Sequence, residues 1–331
     1  MKAAFYRTVG KPDVIQYGEL PTPEPGPGEI RVKIEAASVN PIDTYARSGL
    51  VPVPGFPVIP GRDFAGVVDA VGPGVTRVKP GDRVWGANQG MPGRPGTFAE
   101  FTITGEEWVY PLPANVEAKS AAALALVGIT AHLGMFSLAK LQPGETLFVN
   151  GGTGGVGAAV VQMAKAVGAK VITTAGSDEK VNLARAIGAD VVIAYRHENV
   201  AERVKQVTAG HGVHVWYETL PPSDFETTFE LMAPRGRVVV MAGRQARPVF
   251  PNGLFYVKNL TLFGFAMFNA TAAEQRQCAE AINQWMVEGK LKPLIGRQYT
   301  FSQAAAAHQL QEENTLGKAG TLTGKIIVTP D

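Results

Sequence analysis

Apolar and polar residues alternate with period two through Ile30-Arg31-Val32-Lys33-Ile34-Glu35-Ala36, which predicts a strand with one face buried and the other wet. Residues 66–71 and 83–86 predict further short strands. Clusters of Pro and Gly at 21–28, 52–60, 79–82 and 91–96 separate them, so the first part of the chain reads as a loop-rich β domain. From residue 144 the texture changes. Residues 146–150 form a short apolar run, a glycine cluster follows, and residues 158–167 read as an apolar helix closed by Gly168. The order then repeats: a strand at 170–174, a helix at 178–187 ended by Gly188, and strands at 190–193, 213–217 and 236–240. Strands rich in β-branched residues that alternate with helices predict a parallel sheet covered on both faces. Helices at 272–288 and 302–312 and a last strand at 324–328 complete the pattern.

The length of 331 residues agrees with about two domains. Thirty-one Lys and Arg against 29 Asp and Glu leave a formal charge of +2 with no basic block. A protein living on phosphate backbones shows a basic stripe, so nucleic acid is not expected as the main partner. The single cysteine, Cys278, excludes a disulfide framework and any zinc site needing several thiolates. Residues 121–139 reach membrane-span length but are Ala-rich and contain Gly128, Thr130, His132, Gly134 and Ser137. They predict a buried helix of a soluble protein rather than a membrane span. Arg7 interrupts the N-terminal segment before a signal-peptide core can form, and the cytoplasm is the expected location.

Gly152-Thr153-Gly154-Gly155-Val156-Gly157 fits G-x-G-x-x-G. Thirty-eight glycines make chance matches common, but this one follows a predicted strand and opens a predicted helix, the context that gives the motif its mechanism. Gly152 makes the tight turn, Gly154 lets backbone approach a pyrophosphate, and Gly157 lets helix and strand pack closely. Helix N–H groups then face the phosphates. An NAD site places Asp or Glu about 20 residues further on, against the ribose 2′-hydroxyl. Here Ala175 and Gly176 stand at that level, with Ser177 and Lys180 beside them. These two residues suit a 2′-phosphate, so NADPH is the expected cofactor. A blander reading makes Ser177 an N-cap and Lys180 a solvated charge; the two readings are compatible. His211 and His214 have a suggestive spacing but no third ligand nearby in sequence, and they read as ordinary histidines.

With these elements in place the sequence resembles the medium-chain dehydrogenase/reductase superfamily, and within it the zinc-free quinone oxidoreductases related to zeta-crystallin. The residues that carry the resemblance are 40–49, 60–66 (Pro60-Gly61-Arg62-Asp63-Phe64-Ala65-Gly66), 79–84, 150–157 and Thr323-Gly324-Lys325. The resemblance implies an α/β protein: a GroES-like β-rich catalytic domain from residues 1–123 and 265–331, and a Rossmann doubly wound parallel sheet at 124–264. It implies that Asn40 and Tyr45 line the catalytic cleft while Asp43 shapes the turn between them. Thr130, Gly243 and Phe265 would meet the nicotinamide end. Gly154, Gly155 and Val156 would hold the pyrophosphate, and Ser177, Lys180 and Tyr195 the 2′-phosphate. Zinc-dependent relatives carry a cysteine near the level of Asn40 and Gly-His-Glu where this chain has Gly61-Arg62-Asp63, so no metal is expected. Some relatives also carry an arginine near the chain end for the 2′-phosphate; here Lys318 stands in that region.

Without a Lewis acid the expected acceptor is electron-poor, a quinone or an α,β-unsaturated carbonyl, whose developing oxyanion is stabilised by conjugation. Asn40 would donate to that oxyanion, and Tyr45 or water would supply the proton. The alternatives are an enal or enone reductase with little quinone activity, or a nucleotide-binding protein with an RNA-binding or structural role. Residues 259–268 are too apolar for an exposed edge strand, which predicts a homodimer that covers this edge with its own copy. Leu262 is expected to face outward there.

Overall fold

The computed structural model describes all 331 residues. The chain forms two compact units, one of Met1–Leu126, Thr271–Val287 and Pro293–Asp331, the other of Val127–Ala270 and Glu288–Lys292. In chain order the elements of the first part are β1 (Lys2–Phe5), β2 (Gln16–Glu19), β3 (Glu29–Val39), α1 (Pro41–Arg47), β4 (Asp63–Val71), β5 (Arg83–Gly86), β6 (Phe101–Gly105), β7 (Val109–Pro111) and α2 (Ala118–His132). The middle part holds β8 (Thr146–Asn150), α3 (Gly155–Ala166), β9 (Lys170–Ala175), α4 (Asp178–Ala186), β10 (Val191–Ala194), α5 (Val200–Val207), β11 (Val213–Glu218), α6 (Phe225–Leu231), β12 (Met232–Val240), α7 (Asn252–Val257) and β13 (Thr261–Gly264). Last come α8 (Ala272–Val287), β14 (Ile295–Thr300), α9 (Ala304–Thr315) and β15 (Lys325–Thr329).

The first unit is built on a sheet ordered β14-β15-β3-β4-β5-β7, with β6 also pairing β3. The long strand β3 is its spine. Ile30, Val32 and Ile34 alternate inward and meet Phe64, Val68, Val84, Phe98, Phe301 and Ile326 in one apolar cluster. Register shifts at Arg31/Val32 and Ile34/Ala36 mark bulges in the ladder of β3 with β4, and on its other edge β3 pairs β6 over residues 29–33 and β15 over residues 37–39. The last strand, β15, pairs antiparallel with the end of β3, Ile326 opposite Val39. That pairing brings Lys325 next to Asn40.

The second unit is a six-stranded sheet in the order β10-β9-β8-β11-β12-β13, parallel throughout. This is the doubly wound Rossmann arrangement, with its switch point between β8 and β11. Phe148, Ile172, Ile193, Trp216 and Val238 form its core, and the Phe148 and Trp216 rings stack 3.8 Å apart. Ser177, Asn199 and Asp224 cap α4, α5 and α6 through their side chains, each satisfying an orphan N–H of the first turn. The apolar run at 121–139 is a helix buried in the protein: α2 continues into a π-helical turn, Leu133–Leu138. Gly134 permits it. A Cβ there would lie 2.4 Å from the Tyr217 hydroxyl, which donates to Thr130 O at 2.8 Å.

Two expectations at the sheet edge are corrected. Only Thr261–Gly264 of the apolar segment at 259–268 is strand, and Met267–Asn269 turns away as a 3-10 helix. Leu262 does not face outward; it packs against the core of the second unit, because register with β12 places it opposite Val238.

Candidate functional site

In the second unit the glycine cluster forms the turn from β8 into α3. The positive-φ residue is Gly151 (φ 79°), one place before the motif, and its N–H donates to Thr174 Oγ1 at 3.0 Å. A Cβ on Gly152 would lie 2.2 Å from Thr173 Oγ1, and one on Gly157 would lie 2.1 Å from Gly151 O. Both are glycine because strand, turn and helix touch. Gly154 differs: it is exposed, and its nearest neighbour would be 3.5 Å away. Unlike Gly152 and Gly157, this glycine leaves its space open toward solvent, as a backbone that must approach a ligand requires. The N–H groups of Gly155, Val156 and Gly157 precede the first helical bond, Ala158 N to Gly154 O, and no side chain caps them. The turn therefore fits a pyrophosphate.

Behind the turn, Asn150 ties three strand ends together. It donates to Glu218 Oε1 at 3.0 Å and accepts from Thr174 Oγ1 at 2.7 Å. Glu218 also accepts from Trp216 Nε1 and Leu220 N. Burial holds its carboxyl above the usual range against these donors. The sequence reading did not single out Glu218; a polar residue ending an apolar strand was the available signal.

At the end of β9, Ala175 is buried and Gly176 half-buried. A Cβ on Gly176 would lie 2.2 Å from the Tyr195 hydroxyl, so the aromatic ring covers the level where an acidic side chain is otherwise expected. Ser177 Oγ accepts from Lys180 N at 3.4 Å, which makes it the N-cap of α4. Lys180 is held below its ordinary value by burial, with the Arg196 charge adding and Glu179 opposing. Gly243 has positive φ in the loop after β12. Phe265 is half-buried just past β13, and Thr130 is buried in α2.

The first unit carries a buried polar cluster at the junction of β3, α1, β4 and β15. Asp43 closes a capping box, its Oδ2 accepting from Asn40 N at 2.8 Å. Its Oδ1 lies 3.4 Å from Arg62 Nε. Asp63 accepts from Ser38 Oγ at 2.6 Å, Asn40 Nδ2 at 2.7 Å and Leu126 N at 3.0 Å. Lys325 Nζ donates to Val39 O at 2.7 Å and Asn40 Oδ1 at 2.5 Å, and lies 3.7 Å from Asp63. Asp43, Asp63, Arg62 and Lys325 are all at most 5 % exposed. Burial raises Asp43 to about 6, against the Arg62 charge. It raises Asp63 and lowers Lys325, each against the other's charge.

This arrangement corrects the expectation for Asn40. Its side chain has no exposed surface, and both its amide ends are engaged with Lys325 and Asp63, so it positions the cluster instead of presenting a donor to substrate. Tyr45 is half-buried on α1, and burial raises its hydroxyl above the ordinary value. Asp63 and Lys325 were legible only as parts of motifs; 262 positions separate them, and only the pairing of β15 with β3 joins them.

The family model for the alcohol dehydrogenase GroES-like domain matches residues 26–114, and that for the zinc-binding dehydrogenase matches residues 155–285. A curated quinone oxidoreductase of Pseudomonas aeruginosa is 36 % identical over 325 residues, 96 % of this chain and 98 % of the relative. That of Rattus norvegicus is 33 % identical over 322 residues, 96 % of each chain. The chain belongs to the quinone oxidoreductases of the medium-chain dehydrogenase/reductase superfamily. The solved Escherichia coli quinone oxidoreductase, a complex with NADPH, superposes with a TM-score of 0.87 at 28 % identity and covers all of both chains. Membership makes the protein an oxidoreductase, and it gives the GroES-like and Rossmann units the kinship their topologies show.

Proposed function

We propose that this oxidoreductase is specific for NADPH and transfers hydride to a quinone or a similarly activated conjugated carbonyl, without zinc, as a soluble cytoplasmic homodimer. The observation that carries the cofactor reading is the Tyr195 hydroxyl over Gly176, which denies the ribose 2′-hydroxyl its acidic partner and leaves Ser177 and Lys180 at the rim. The NADPH complex of the Escherichia coli relative supports the same choice.

When bound, the reduced nicotinamide supplies the hydride. The chain's own residues do the rest. The Gly154–Gly157 turn holds the pyrophosphate, with Gly152 packing the turn onto β9. Thr130, Gly243 and Phe265 are proposed to orient the nicotinamide end. Tyr45 Oη, protonated at neutral pH as a phenol ordinarily is and raised further by burial, is proposed to deliver the proton to the reduced acceptor. Asp43 and Asn40 hold the α1 turn that carries Tyr45.

The zinc-free reading rests on the donor set. The buried cluster offers two carboxylates and two cations whose formal charges cancel, and no Cys or His stands among them. A tetrahedral zinc centre needs about three N, S or O ligands, and Lys325 already occupies Asn40 and faces Asp63. Titration of the purified protein with NADPH and NADH, followed by an acceptor screen after exhaustive chelation, tests all three parts. Tighter NADPH binding, reduction of quinones or enones, and activity that survives chelation are expected. Lys180→Ala should weaken NADPH selectively, since a charge-assisted contact is worth about 1.5–3 kcal/mol. Equal affinity for both cofactors, or stoichiometric zinc required for turnover, overturns the corresponding part.

A further inference from the structure

The rim at the ends of β9 and β10 contains one cation that the motif does not announce. Parallel pairing sets Ile193 opposite Thr174 and Ala194 opposite Ala175, and Tyr195 N extends the ladder onto Ala175 O at 3.2 Å. The next residue, Arg196, is thereby delivered beside the Gly176-Ser177 corner. It is exposed. The nearby acid Glu198 is engaged elsewhere, accepting from Ala194 N at 2.8 Å and pairing with Arg203 at 3.6 Å.

Arg196 stands close enough to Lys180 for their charges to oppose one another, a smaller effect on the Lys180 ammonium than burial, which lowers it, and than the Glu179 carboxylate, which raises it. Two cations held together oppose each other's ionised forms. An anion placed between them reverses that penalty, and a phosphate monoester carries a charge of about −1.5 to −2 at neutral pH. The half-exposed Tyr195 ring stands at the same corner with its hydroxyl over Gly176, adding a neutral donor. Guanidinium presents two parallel N–H groups to phosphate oxygens, which lysine does not.

We propose that Arg196 is a specificity-determining residue: with Lys180, Ser177 and Tyr195 it binds the 2′-phosphate of the dinucleotide and discriminates against the 2′-hydroxyl. The proposal rests on the NADPH reading above. Its test is calorimetric titration of the full-length protein and of Arg196→Ala and Arg196→Lys with NADPH, NADH and 2′,5′-ADP, with a thermal melt of each variant.

Arg196→Ala is expected to bind NADPH and 2′,5′-ADP about tenfold more weakly or worse, with NADH unchanged. Arg196→Lys should recover part of the loss, and the salt dependence of NADPH binding should shrink in the alanine variant. An unchanged NADPH affinity in Arg196→Ala, in a protein that still prefers NADPH, overturns the role of Arg196 alone. Equal NADH and NADPH affinities in the unmutated protein overturn the cofactor reading and this inference with it. Equal losses for both dinucleotides would make Arg196 a structural residue and also reject the proposal.

Discussion

His308, on α9, lies fully buried in the first unit with both ring nitrogens unpartnered, edge-on to Phe98 at 5.8 Å. Burial pushes its conjugate acid down to about 3, and the Arg47 charge adds to the effect. An unfolded histidine takes up its proton near pH 6.5. Between pH 6.5 and 3 the unfolded chain therefore binds more protons than the native one, and stability falls with falling pH by about 1.4 kcal/mol per unit. His308→Leu removes this titration and leaves no unpaired ring nitrogen in the core. Urea melts of both proteins at pH 4, 5, 6 and 7 should show the variant gaining on the parent as pH falls. Asp43, raised to about 6, gives the opposite slope from about pH 4 to 6, but in both proteins, so it cancels in the difference. A difference that stays constant with pH would show that His308 titrates normally. Residue chemistry of this kind was poorly legible in the sequence. Asn40, Tyr45 and Asp43 were singled out only through the motif that contains them. The engagement of Asn40 by Lys325 and the isolation of His308 depend on contacts hundreds of positions apart, which no local spacing encodes.

Secondary elements were more legible where burial is set by the element itself. The strands β8, β9, β10 and β11 are buried on both faces and read directly as β-branched runs. Helix ends were marked by Gly168 and Gly188, both at positive φ. The glycine motif was legible in position but less so in the duty of each residue, because the sharp turn falls on Gly151, outside the pattern. Neither the π-helical turn after α2 nor the close approach of Tyr217 to Gly134 within it was legible, since no local spacing encodes them. The two kinds of glycine in the cradle separate experimentally. Gly157→Ala places a Cβ 2.1 Å from Gly151 O and 3.1 Å from Gly152 Cα. Backbone atoms cannot yield as a flexible side chain does, and overpacking of this kind costs about 1–3 kcal/mol. The melting temperature should fall and cofactor binding should weaken with it. Gly154→Ala meets nothing closer than 3.5 Å, so the fold should melt as before while dinucleotide affinity drops about tenfold or more, a loss of 1.4 kcal/mol or greater. Differential scanning calorimetry paired with cofactor titration reads both. A Gly154→Ala protein with normal affinity would remove the backbone of 154 from the binding site.

At the scale of the whole molecule the chain leaves and re-enters its units where the sequence shows no break. The passage from Leu126 to Val127 falls inside α2, and residues 288–292 rejoin the second unit through reciprocal bonds of 2.9 Å between Gln162 and the Lys292 backbone. The sheet edge of the second unit is where assembly is expected. β13 has β12 as its only strand partner, and an unpaired edge is a template for another chain unless something covers it. Just before it, Val249, Tyr256 and Val257 are 64–69 % exposed, and Phe250 and Leu254 are also exposed. Such a concentration of exposed apolar side chains in the segment that leads into β13 is what an association surface would offer. Pairing with an identical copy about a two-fold axis would cover both edges at once. Because Leu262 packs inward, a charge there would test the core and not the assembly. Val257→Lys and Tyr256→Glu test the surface, since both residues are open to solvent and neither supports the core cluster. Each variant is expected to remain folded by circular dichroism and to sediment as a monomer at micromolar concentration, where the unmutated protein is expected to sediment as a dimer. An unmutated protein that is itself monomeric under these conditions rejects the dimer. Variants that stay dimeric would move the interface away from α7 and β13.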